Sequence, residues 1–232
     1  MKNKEIIQNS LIVQQYFNNF DKSIYIENLN DGIILKDKDT KMSFKLRLDD
    51  YSKLITEKNK HIFKKIFKGT NLKILDCTGG FGKDSFLLAS LGHQVTFLEE
   101  NPIVMVMIQD AIKHIGTNIL QESCDRITFL FGNCLDYIRH NNKAFDYVYF
   151  DFMFNVNSTA LPSKREQFLR RLVNNNPTRN IRIIKESIER LSSKIIIKEH
   201  IKSSDYEALD IVHCYKERVV KYNLINTNDS SK

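Results

Sequence analysis

The segment "ILDCTGGFGKDSFLLASLG", from Ile74 to Gly92, places an acidic residue, three glycines and a lysine between two apolar runs. The residues around its start, "LKILDC", have the composition of a buried strand. Its end, "DSFLLASLG", has the composition of a helix closed by a glycine. A strand, a glycine-rich turn and a helix in this order predict the first unit of an α/β sheet with a ligand at the turn.

The same pattern of strand, turn and helix continues along the chain. Near-continuous apolar strands that alternate with helices are typical of a buried, mostly parallel sheet. The last two β-runs follow each other closely, which favours an antiparallel pair. The fold class predicted is therefore α/β and doubly wound. The predicted strands after the first are "HQVTFLEE", "RITFLFGNC", "FDYVYFDF", "KIIIKEH", "DIVHCYK" and "ERVVKYNLI".

Residues 1–68 form a charged N-terminal part that precedes this pattern. "KSIYIENL" and "DGIILKD" flank an Asn-Asp-Gly turn and predict a hairpin, and "MSFKLRLD" alternates as a third strand. "KNKHIFKKIFKG" predicts a basic amphipathic helix that ends at Gly69. We therefore expect three parts: a small β-containing part over 1–68, a main domain over 69–226 and a flexible tail over 227–232.

Composition limits the classes of function. The chain has 232 residues, 42% of them hydrophobic, and a net charge of +7, which favours a polyanionic partner. The start of the chain lacks a secretory apolar region, and no apolar run approaches the ~20 residues of a membrane span. No cysteine or histidine pair has metal-ligand spacing, so no metal site is predicted. These features together predict a cytoplasmic, soluble protein. The cysteines are Cys77, Cys124, Cys134 and Cys214.

The glycine turn predicts a cofactor site. "GFGKDS", Gly80 to Ser85, is close to G-x-G-x-x-G, and Ser85 stands where the last glycine would be. Glu99 ends the second strand about twenty residues later, where a carboxylate can bind both ribose hydroxyls. These features, with Gly82, are shared by dinucleotide sites and S-adenosylmethionine sites.

Asp76 separates these two kinds of site. A pyrophosphate at the start of the next helix would meet this negative charge, whereas the ammonium and sulfonium groups of S-adenosylmethionine would be attracted by it. A phosphate-binding G-x-x-x-x-G-K loop would need a glycine at Cys77 and a Ser or Thr at Asp84. Asp76, Gly80, Gly82 and Glu99 together favour the methyl donor, and a nicotinamide oxidoreductase stays open as an alternative.

A second motif ends the fourth strand. "FDYVYFDFMFN" places Asp151 before Phe152 and Phe154 at the carboxyl edge of the sheet. A carboxylate followed by aromatic residues suits a planar base with an exocyclic amine, because the acid accepts the amine hydrogens while a ring stacks on the base. The same pattern also fits two core aromatics and a capping aspartate.

These segments resemble the RsmJ-type small-subunit ribosomal RNA guanine-N2 methyltransferases. The resemblance starts with "LDCTGGFGKDSFLLASLGHQVTFLEENPIV" and continues through "ITFLFGNCLDYI", "VYFDFMF", "STALPSKREQF" and "KIIIKEH". It covers roughly residues 30–225 in order and spacing. The family implies a class I, Rossmann-like methyltransferase fold with a seven-stranded, mostly parallel sheet and a small N-terminal β-containing part.

The resemblance also implies site residues. Glu99 is the expected ribose partner, Asn133 and Cys134 lie near the adenine, and Asp151 faces the methyl transfer. In this mechanism Asp151 and the carbonyl of Phe152 hold the N2 amine of a guanine, and Phe154 stacks on the flipped base. The implied cofactor contacts are Lys83, Asp84, Glu99, Glu100, Asn133, Cys134 and Asp151.

The chain departs from the family pattern at three places. The family usually reads Asp-Pro-Met-Phe-Pro where this chain has "DFMFN", so Phe152 and Asn155 replace two conformationally restricted prolines. Glu100 stands where the family commonly has a basic residue. The basic loop "KLRLDDYSK" lacks the glycines expected there. A non-catalytic or altered-specificity RNA-binding relative is therefore the alternative to an active enzyme.

The predicted partner is ribosomal RNA or the small ribosomal subunit. Eight basic residues between 160 and 190, set against three glutamates, suit contacts to phosphates. A solvated helix face would have a similar composition. The basic residues are Lys164, Arg165, Arg170, Arg171, Arg179, Arg182, Lys185 and Arg190.

Overall fold

The computed structural model describes residues 23–141, 143–152, 163–173, 176–191 and 194–226. Its largest element is a seven-stranded sheet. The strands are β4 (Lys73–Asp76), β5 (Gln94–Glu99), β6 (Ile127–Phe131), β7 (Tyr147–Phe150), β8 (Lys194–His200), β9 (Ile211–Lys216) and β10 (Val220–Asn226). Their order in the sheet is β6-β5-β4-β7-β8-β10-β9. Strands β4 to β8 are parallel, and β10 is antiparallel to both of its neighbours.

This topology confirms the predicted fold class and the antiparallel closing pair. The chain moves outward from β4 to β5 and β6 and then returns to the other side of β4 at β7. A doubly wound sheet opens a crevice at such a switch point, outside the carboxyl ends of the strands. The centre of the sheet is apolar on both faces, with Leu75, Val148 and Ile196 fully buried. The site is therefore expected beyond the ends of β4, β5 and β7.

Helices cover both faces of the sheet and follow the strands in the order that the sequence predicts. Asn101 caps the longest helix of the first half, because its side-chain oxygen accepts bonds from the amides of Ile103 and Val104 at 2.9 and 3.2 Å. The helices of the described residues are α1 (Ser52–Thr56), α2 (Phe63–Ile66), α3 (Lys83–Ser90), α4 (Pro102–Lys113), α5 (Asn118–Cys124), α6 (Cys134–His140), α7 (Lys164–Leu172) and α8 (Pro177–Arg190).

The N-terminal part contains a small antiparallel sheet of β1 (Ile24–Leu29), β2 (Gly32–Asp37) and β3 (Ser43–Phe44). It is attached to the main sheet's helices by buried polar contacts. The amide of Ile33 donates to Asp110 on α4 at 2.8 Å, and Asp37 pairs with Arg171 on α7 at 2.6 Å. The apolar residues of this sheet also belong to the same core as β4 and β5. The predicted boundary between 68 and 69 stays a prediction.

The prediction of a single basic helix over residues 58–68 is wrong. The segment forms a 3-10 turn (Lys58–Lys60) and then the one-turn helix α2. His61 lies between them in an extended conformation, and its ring nitrogen accepts the amide of Phe63 at 3.2 Å. This bond restarts the helix at Phe63, whose side chain is fully buried. The third N-terminal strand is also shorter than predicted, with only two residues.

Candidate cofactor and methyl-transfer site

Asp76 organises the turn that follows β4. Its side chain is buried, and its two oxygens accept bonds from the amide of Thr78 at 3.1 Å and the hydroxyl of Ser85 at 2.5 Å. Burial raises the pKa of Asp76 to about 7, although these two bonds oppose the shift. Asp76 is not among the residues that line the adjacent cavity. Its predicted attraction for a cationic ligand would therefore act from behind the turn.

Two glycines of the turn have backbone conformations that favour glycine. Gly80 has φ of +52° and Gly82 has φ of +80°, and Gly82 precedes the first residue of α3. Gly80 lines the cavity, and a Cβ added there would be in van der Waals contact with Leu169, another lining residue, at 3.6 Å. The turn therefore keeps the backbone close to whatever the cavity holds.

Glu99 lies at the carboxyl end of β5, opposite this turn. Its carboxylate accepts the amide of Gly80 at 2.8 Å and the amide of Asn101 at 2.7 Å. Burial raises the pKa of Glu99 to about 7, against the effect of these two amides. Each carboxylate oxygen can accept more than one bond. The residue is thus oriented by the backbone and can still accept bonds from a pair of hydroxyl groups in the cavity.

A cavity of about 610 Å³ lies at the switch point of the sheet. Its size falls within the range of about 300–1,000 Å³ that is common for small-molecule sites. One wall carries Glu99 and Gly80, the other carries Asp151 and Phe152. The remaining lining residues are Cys77, Thr78, Glu100, Asn101, Phe131, Gly132, Asn133, Cys134, Leu169, Leu172, Val173, Arg179, Asn180 and Ile183.

The structure brings together most, but not all, of the residues that the sequence predicts. Seven line the cavity, and they are Gly80, Glu99, Glu100, Asn133, Cys134, Asp151 and Phe152. Four lie outside its lining, and they are Asp76, Gly82, Lys83 and Asp84. Phe154 is outside the described residues. The cofactor contacts of all these residues, and base stacking by Phe154, stay predictions.

Glu100 and Asn133 form the outer edge of the cavity. The side-chain oxygen of Asn133 caps α6 by accepting the amides of Leu135 and Asp136, and its nitrogen donates to Glu100 at 2.8 Å. Arg179 on α8 forms a two-pronged ion pair with the same carboxylate. Glu100 is therefore held by two partners, and the chain supplies its own cation beside this acidic residue.

Cys77 and Cys134 line the cavity as small buried residues. Burial raises the pKa of the Cys77 thiol well above its usual value, and the neighbouring Cys134 adds to the shift. A thiol with a raised pKa is protonated at neutral pH and is a poor nucleophile. Cys77 therefore acts through its size and not through its reactivity.

Asp151 follows β7 and belongs to a buried charged cluster. Its amide donates to the hydroxyl of Thr78 at 2.7 Å, and its carboxylate pairs with Lys198 on β8 at 2.7 Å. Lys198 also pairs with Asp84 at 2.8 Å, and the hydroxyl of Tyr149 donates to Asp84 at 2.6 Å. Burial raises the pKa of Asp151, and the charge of Lys198 opposes the shift. Asp151 thus has a fixed position at the cavity wall.

Phe152 extends this wall. Its ring stacks on Phe150 with centroids 5.1 Å apart and an angle of 12° between the planes, and Tyr206 lies on its other side at 6.3 Å. It is partly buried and lines the cavity. The aromatic residue beside Asp151 therefore has a defined orientation without the proline that the family pattern has there.

The structure changes the interpretation of the basic cluster between residues 160 and 190. Arg171 pairs with Asp37, Arg179 with Glu100, and Arg190 with Glu186. The guanidinium of Arg165 lies over the ring of Tyr51, 5.8 Å from its centroid. Half of the cluster thus makes internal contacts. The exposed remainder is Lys164, Arg170, Arg182 and Lys185, and these are the stronger candidates for phosphate contacts.

Sequence reasoning missed Lys198 and the pairing of Arg179 with Glu100. Lys198 had a recognisable signal, because "KIIIKEH" places a lysine inside an apolar strand. A lysine in such a strand usually needs a buried carboxylate partner. Arg179 had no such signal, since it stands among other basic residues of an amphipathic helix.

Neither a metal site nor a membrane span is found in the part of the chain that the structure describes. Its histidines, cysteines and acidic residues form no group of three or more that could hold a metal ion. None of the helices in the described ranges has the length and apolar composition needed to cross a membrane.

Three comparisons relate this geometry to known proteins. The model of the family described as "Putative SAM-dependent methyltransferase" matches residues 32–225. A solved structure of a SAM-dependent methyltransferase from Neisseria gonorrhoeae superposes with a TM-score of 0.71 at 18% identity, over 96% of this chain and 94% of that one. This superposition supports the fold alone.

Curated relatives match part of the chain. The protein named "Ribosomal RNA small subunit methyltransferase J" of Francisella tularensis subsp. novicida is 33% identical over 133 residues, which are 56% of this chain and 55% of that protein. The protein of the same name from Marinobacter nauticus is 39% identical over 108 residues, 44% of this chain and 38% of that protein. The matches thus span about half the length of these relatives or less.

Proposed function

Because the chain belongs to the SAM-dependent methyltransferase family, we propose that it transfers a methyl group to the exocyclic N2 amine of a guanine in small-subunit ribosomal RNA. Family membership also confirms the predicted cofactor, S-adenosylmethionine. The observation that carries the proposal is Asp151, a carboxylate fixed at the cavity wall beside the ring of Phe152. The names of the curated relatives support ribosomal RNA as the substrate.

The residues of the cavity fit this cofactor. Glu99 offers a carboxylate that the backbone has oriented, which suits the two ribose hydroxyls. Gly80 leaves room for close approach, and Cys134 follows the strand end where the adenine is expected. Among the described residues, Glu99 and Asp76 bond only to amides and a hydroxyl, so a cationic ligand would stabilise their ionised forms.

S-adenosylmethionine, when bound, supplies a methyl group activated by its sulfonium. The amine nitrogen is a poor nucleophile because its lone pair is delocalised into the ring. We infer that Asp151 and the backbone carbonyl of Phe152 accept its hydrogens and so orient the nitrogen toward the methyl carbon. The methyl group would pass from the sulfonium to this nitrogen, and Asp151 would accept the proton that the amine loses.

Positioning accounts for most of the rate acceleration in this mechanism. Well-oriented reactants gain on the order of 7–11 kcal/mol over free ones in solution. The chain provides rigid supports on both sides: Glu99 is held by two amides, and Asp151 is held by Lys198 and by the Thr78 hydroxyl. The exposed basic residues of α7 and α8 would contact RNA phosphates, which position the RNA without reading its sequence.

The test is transfer of tritiated methyl groups to small-subunit ribosomal RNA, free and within subunits, from a strain that lacks the modification. We expect transfer by the wild type to one guanine N2, located by nuclease digestion and mass spectrometry. Asp151→Ala should reduce transfer at least 1,000-fold, because the amine loses its acceptor, while cofactor affinity stays within about tenfold.

Asp146→Ala is the matched control. Asp146 precedes β7 at the opposite end from Asp151, and its carboxylate accepts the amide of Lys73 at 2.7 Å. Its replacement should leave transfer unchanged. Wild-type protein that binds cofactor and RNA without transfer would support the non-catalytic relative, which the loss of both prolines in "DFMFN" suggests. Full activity of Asp151→Ala would remove Asp151 from the mechanism.

A further inference from the structure

Lys198 is an unusual residue for its position. It lies on β8, between β7 and β10, directly after the fully buried residues Ile195, Ile196 and Ile197. Only 17% of its side chain is exposed. A lysine in such a strand loses hydration and is destabilising unless carboxylates replace the lost water. A lysine at this position therefore needs carboxylate partners.

Those partners connect the lysine to the transfer site. The ammonium lies 2.7 Å from Asp151, which lines the cavity, and 2.8 Å from Asp84, which does not. Tyr149 donates its hydroxyl to the same oxygen of Asp84 at 2.6 Å. Asp84 on α3, supported by Tyr149 on β7, therefore holds Lys198 away from the cavity, and the same ammonium contacts Asp151 at the cavity wall.

The charges in this cluster depend on the lysine. Burial raises the pKa of Asp151, and the nearby charge of Asp84 raises it further, while Lys198 lowers it. Burial also acts on Asp84, but Lys198 and Tyr149 bring the pKa of Asp84 down to about 2. The other titratable groups that interact with the cluster are Tyr51, His61, Asp76, Lys83, Tyr149, Tyr206 and Tyr222. Without Lys198, two carboxylates would share a site with little water.

We propose that Lys198 is a positioning residue for the methyl transfer, which keeps the Asp151 carboxylate ionised and oriented at the cavity wall. This role rests on the proposed function of Asp151. Asp84 and Tyr149 hold the lysine in place, and the lysine in turn fixes the group that accepts the amine hydrogens. An ionised Asp151 can accept a hydrogen bond from the amine and then the proton that the amine loses, whereas a protonated one would present a donor to the amine.

The first experiment compares Lys198→Met and Lys198→Arg with the wild type in single-turnover transfer at saturating cofactor, from pH 6 to pH 9. Lys198→Met should slow transfer about 100-fold at pH 7 and lose less at pH 9, because Asp151 then ionises only at higher pH. Lys198→Arg keeps the cation and should restore the wild-type pH profile, with a rate within about tenfold. Cofactor affinity should change less than about threefold in both.

Lys221→Met is the matched control. Lys221 on β10 pairs with the buried Glu199 at 3.3 Å, and its side chain is 13% exposed, close to the value for Lys198. Glu199 is adjacent to Lys198 on β8 but does not line the cavity. Lys221→Met should lower the midpoint of urea unfolding and leave the transfer rate and pH profile unchanged. The same pH shift in both methionine variants would show a merely structural effect and overturn the proposal.

A second variant covers the case in which Lys198→Met does not fold. Lys198→Met combined with Asp84→Asn removes one charge of each sign, so the cluster keeps its net charge, and Asp151 still lacks its cation. This double variant should fold and remain slow. Wild-type rate and pH profile in whichever of the two variants folds would overturn the proposal.

A measurement without RNA separates this proposal from the proposed function. The Asp151 carboxyl can be titrated by NMR with 13C-labelled aspartate and assigned by comparison with Asp151→Asn. Loss of an opposite charge at hydrogen-bond distance should raise its apparent pKa by about 1–3 units in Lys198→Met. An unshifted titration overturns the role of Lys198, whatever the RNA assay gives. A shifted titration with no RNA transfer by the wild type contradicts the proposed function alone.

Discussion

Buried acidic groups have different kinds of partner in the two halves of the sheet's carboxyl edge. In the half that we propose for methyl transfer, the transfer half, Asp151 and Asp84 share the ammonium of Lys198. In the half that we propose for cofactor binding, the cofactor half, Glu99 and Asp76 accept only neutral amides and a hydroxyl from the described residues. Burial accordingly raises the pKa of both Glu99 and Asp76 to about 7.

The difference indicates what each half requires from outside the chain. The transfer half needs no cation from a ligand, because Lys198 is a residue of the chain and orients Asp151 before any ligand binds. The cofactor half is electrostatically incomplete, and a ligand with an ammonium and a sulfonium would complete it. Substitutions in the cofactor half should therefore change cofactor affinity, and those in the transfer half should change the rate.

The largest effect that tests this division is expected at Glu99. Glu99→Ala removes the proposed acceptor for two ribose hydroxyls, and bonds to a charged acceptor contribute about 1.5–3 kcal/mol each. We therefore expect cofactor affinity, measured by isothermal titration calorimetry, to fall by more than about 100-fold, with the transfer rate at saturating cofactor within about threefold.

Glu99→Gln is the matched variant for this experiment. It keeps the shape of the side chain, but its one carbonyl oxygen can accept only one of the amides of Gly80 and Asn101, which bond to different oxygens of Glu99. It therefore removes the charge and one of the two bonds that support the turn. An intermediate loss of affinity is expected. If Glu99→Ala instead slows transfer while binding cofactor normally, the two halves do not have separate roles.

The pH dependence of cofactor binding gives the next largest effect. A cation and two hydroxyl donors favour the ionised forms of Glu99 and Asp76, so the bound state has lower pKa values than the free state. Binding then releases protons, and affinity increases as the pH rises through about 7. A single carboxyl with a pKa near 7 predicts about a tenfold gain from pH 6 to pH 8.

Calorimetry in buffers of different ionisation enthalpy would measure the released protons directly. S-adenosylhomocysteine lacks the sulfonium charge and should release fewer protons than S-adenosylmethionine does. Affinity that is constant or decreases over this range would mean that a cation inside the chain already neutralises the cofactor half.

The sequence predicted those site residues that local pattern places at strand ends. Glu99 and Asp151 each follow an apolar strand, and parallel strands bring their carboxyl ends to one edge, so their convergence on one cavity follows from topology. Asp76 was predicted from the same pattern, but its contacts to Ser85 and Thr78 depend on how the turn closes.

Pairing across the fold could not be predicted in this way. Lys198 meets Asp84 across 114 residues and Asp151 across 47 residues of sequence. The alternation of apolar and polar residues fixes which face of β8 a side chain occupies, but not which carboxylate lies opposite. The same holds for Arg179, which composition assigns to a basic surface and which the fold places against Glu100.

The Arg179–Glu100 pair should have the smallest effect of the groups around the cavity. Both side chains are about a third exposed or more, at 32% and 41%, and exposed ion pairs contribute about 0–1 kcal/mol. Glu100 also keeps its bond from Asn133 when the arginine is lost. Arg179→Met should therefore change cofactor affinity less than about threefold at 0.15 M salt, as measured by the same calorimetry.

Arg190→Met, which breaks the exposed pair with Glu186 at the other end of α8, is the control. A loss above tenfold in Arg179→Met alone would mean that this arginine supplies charge to the cofactor half. Both halves would then have a cation of their own, and Arg179 would differ from Lys198 only in its greater exposure.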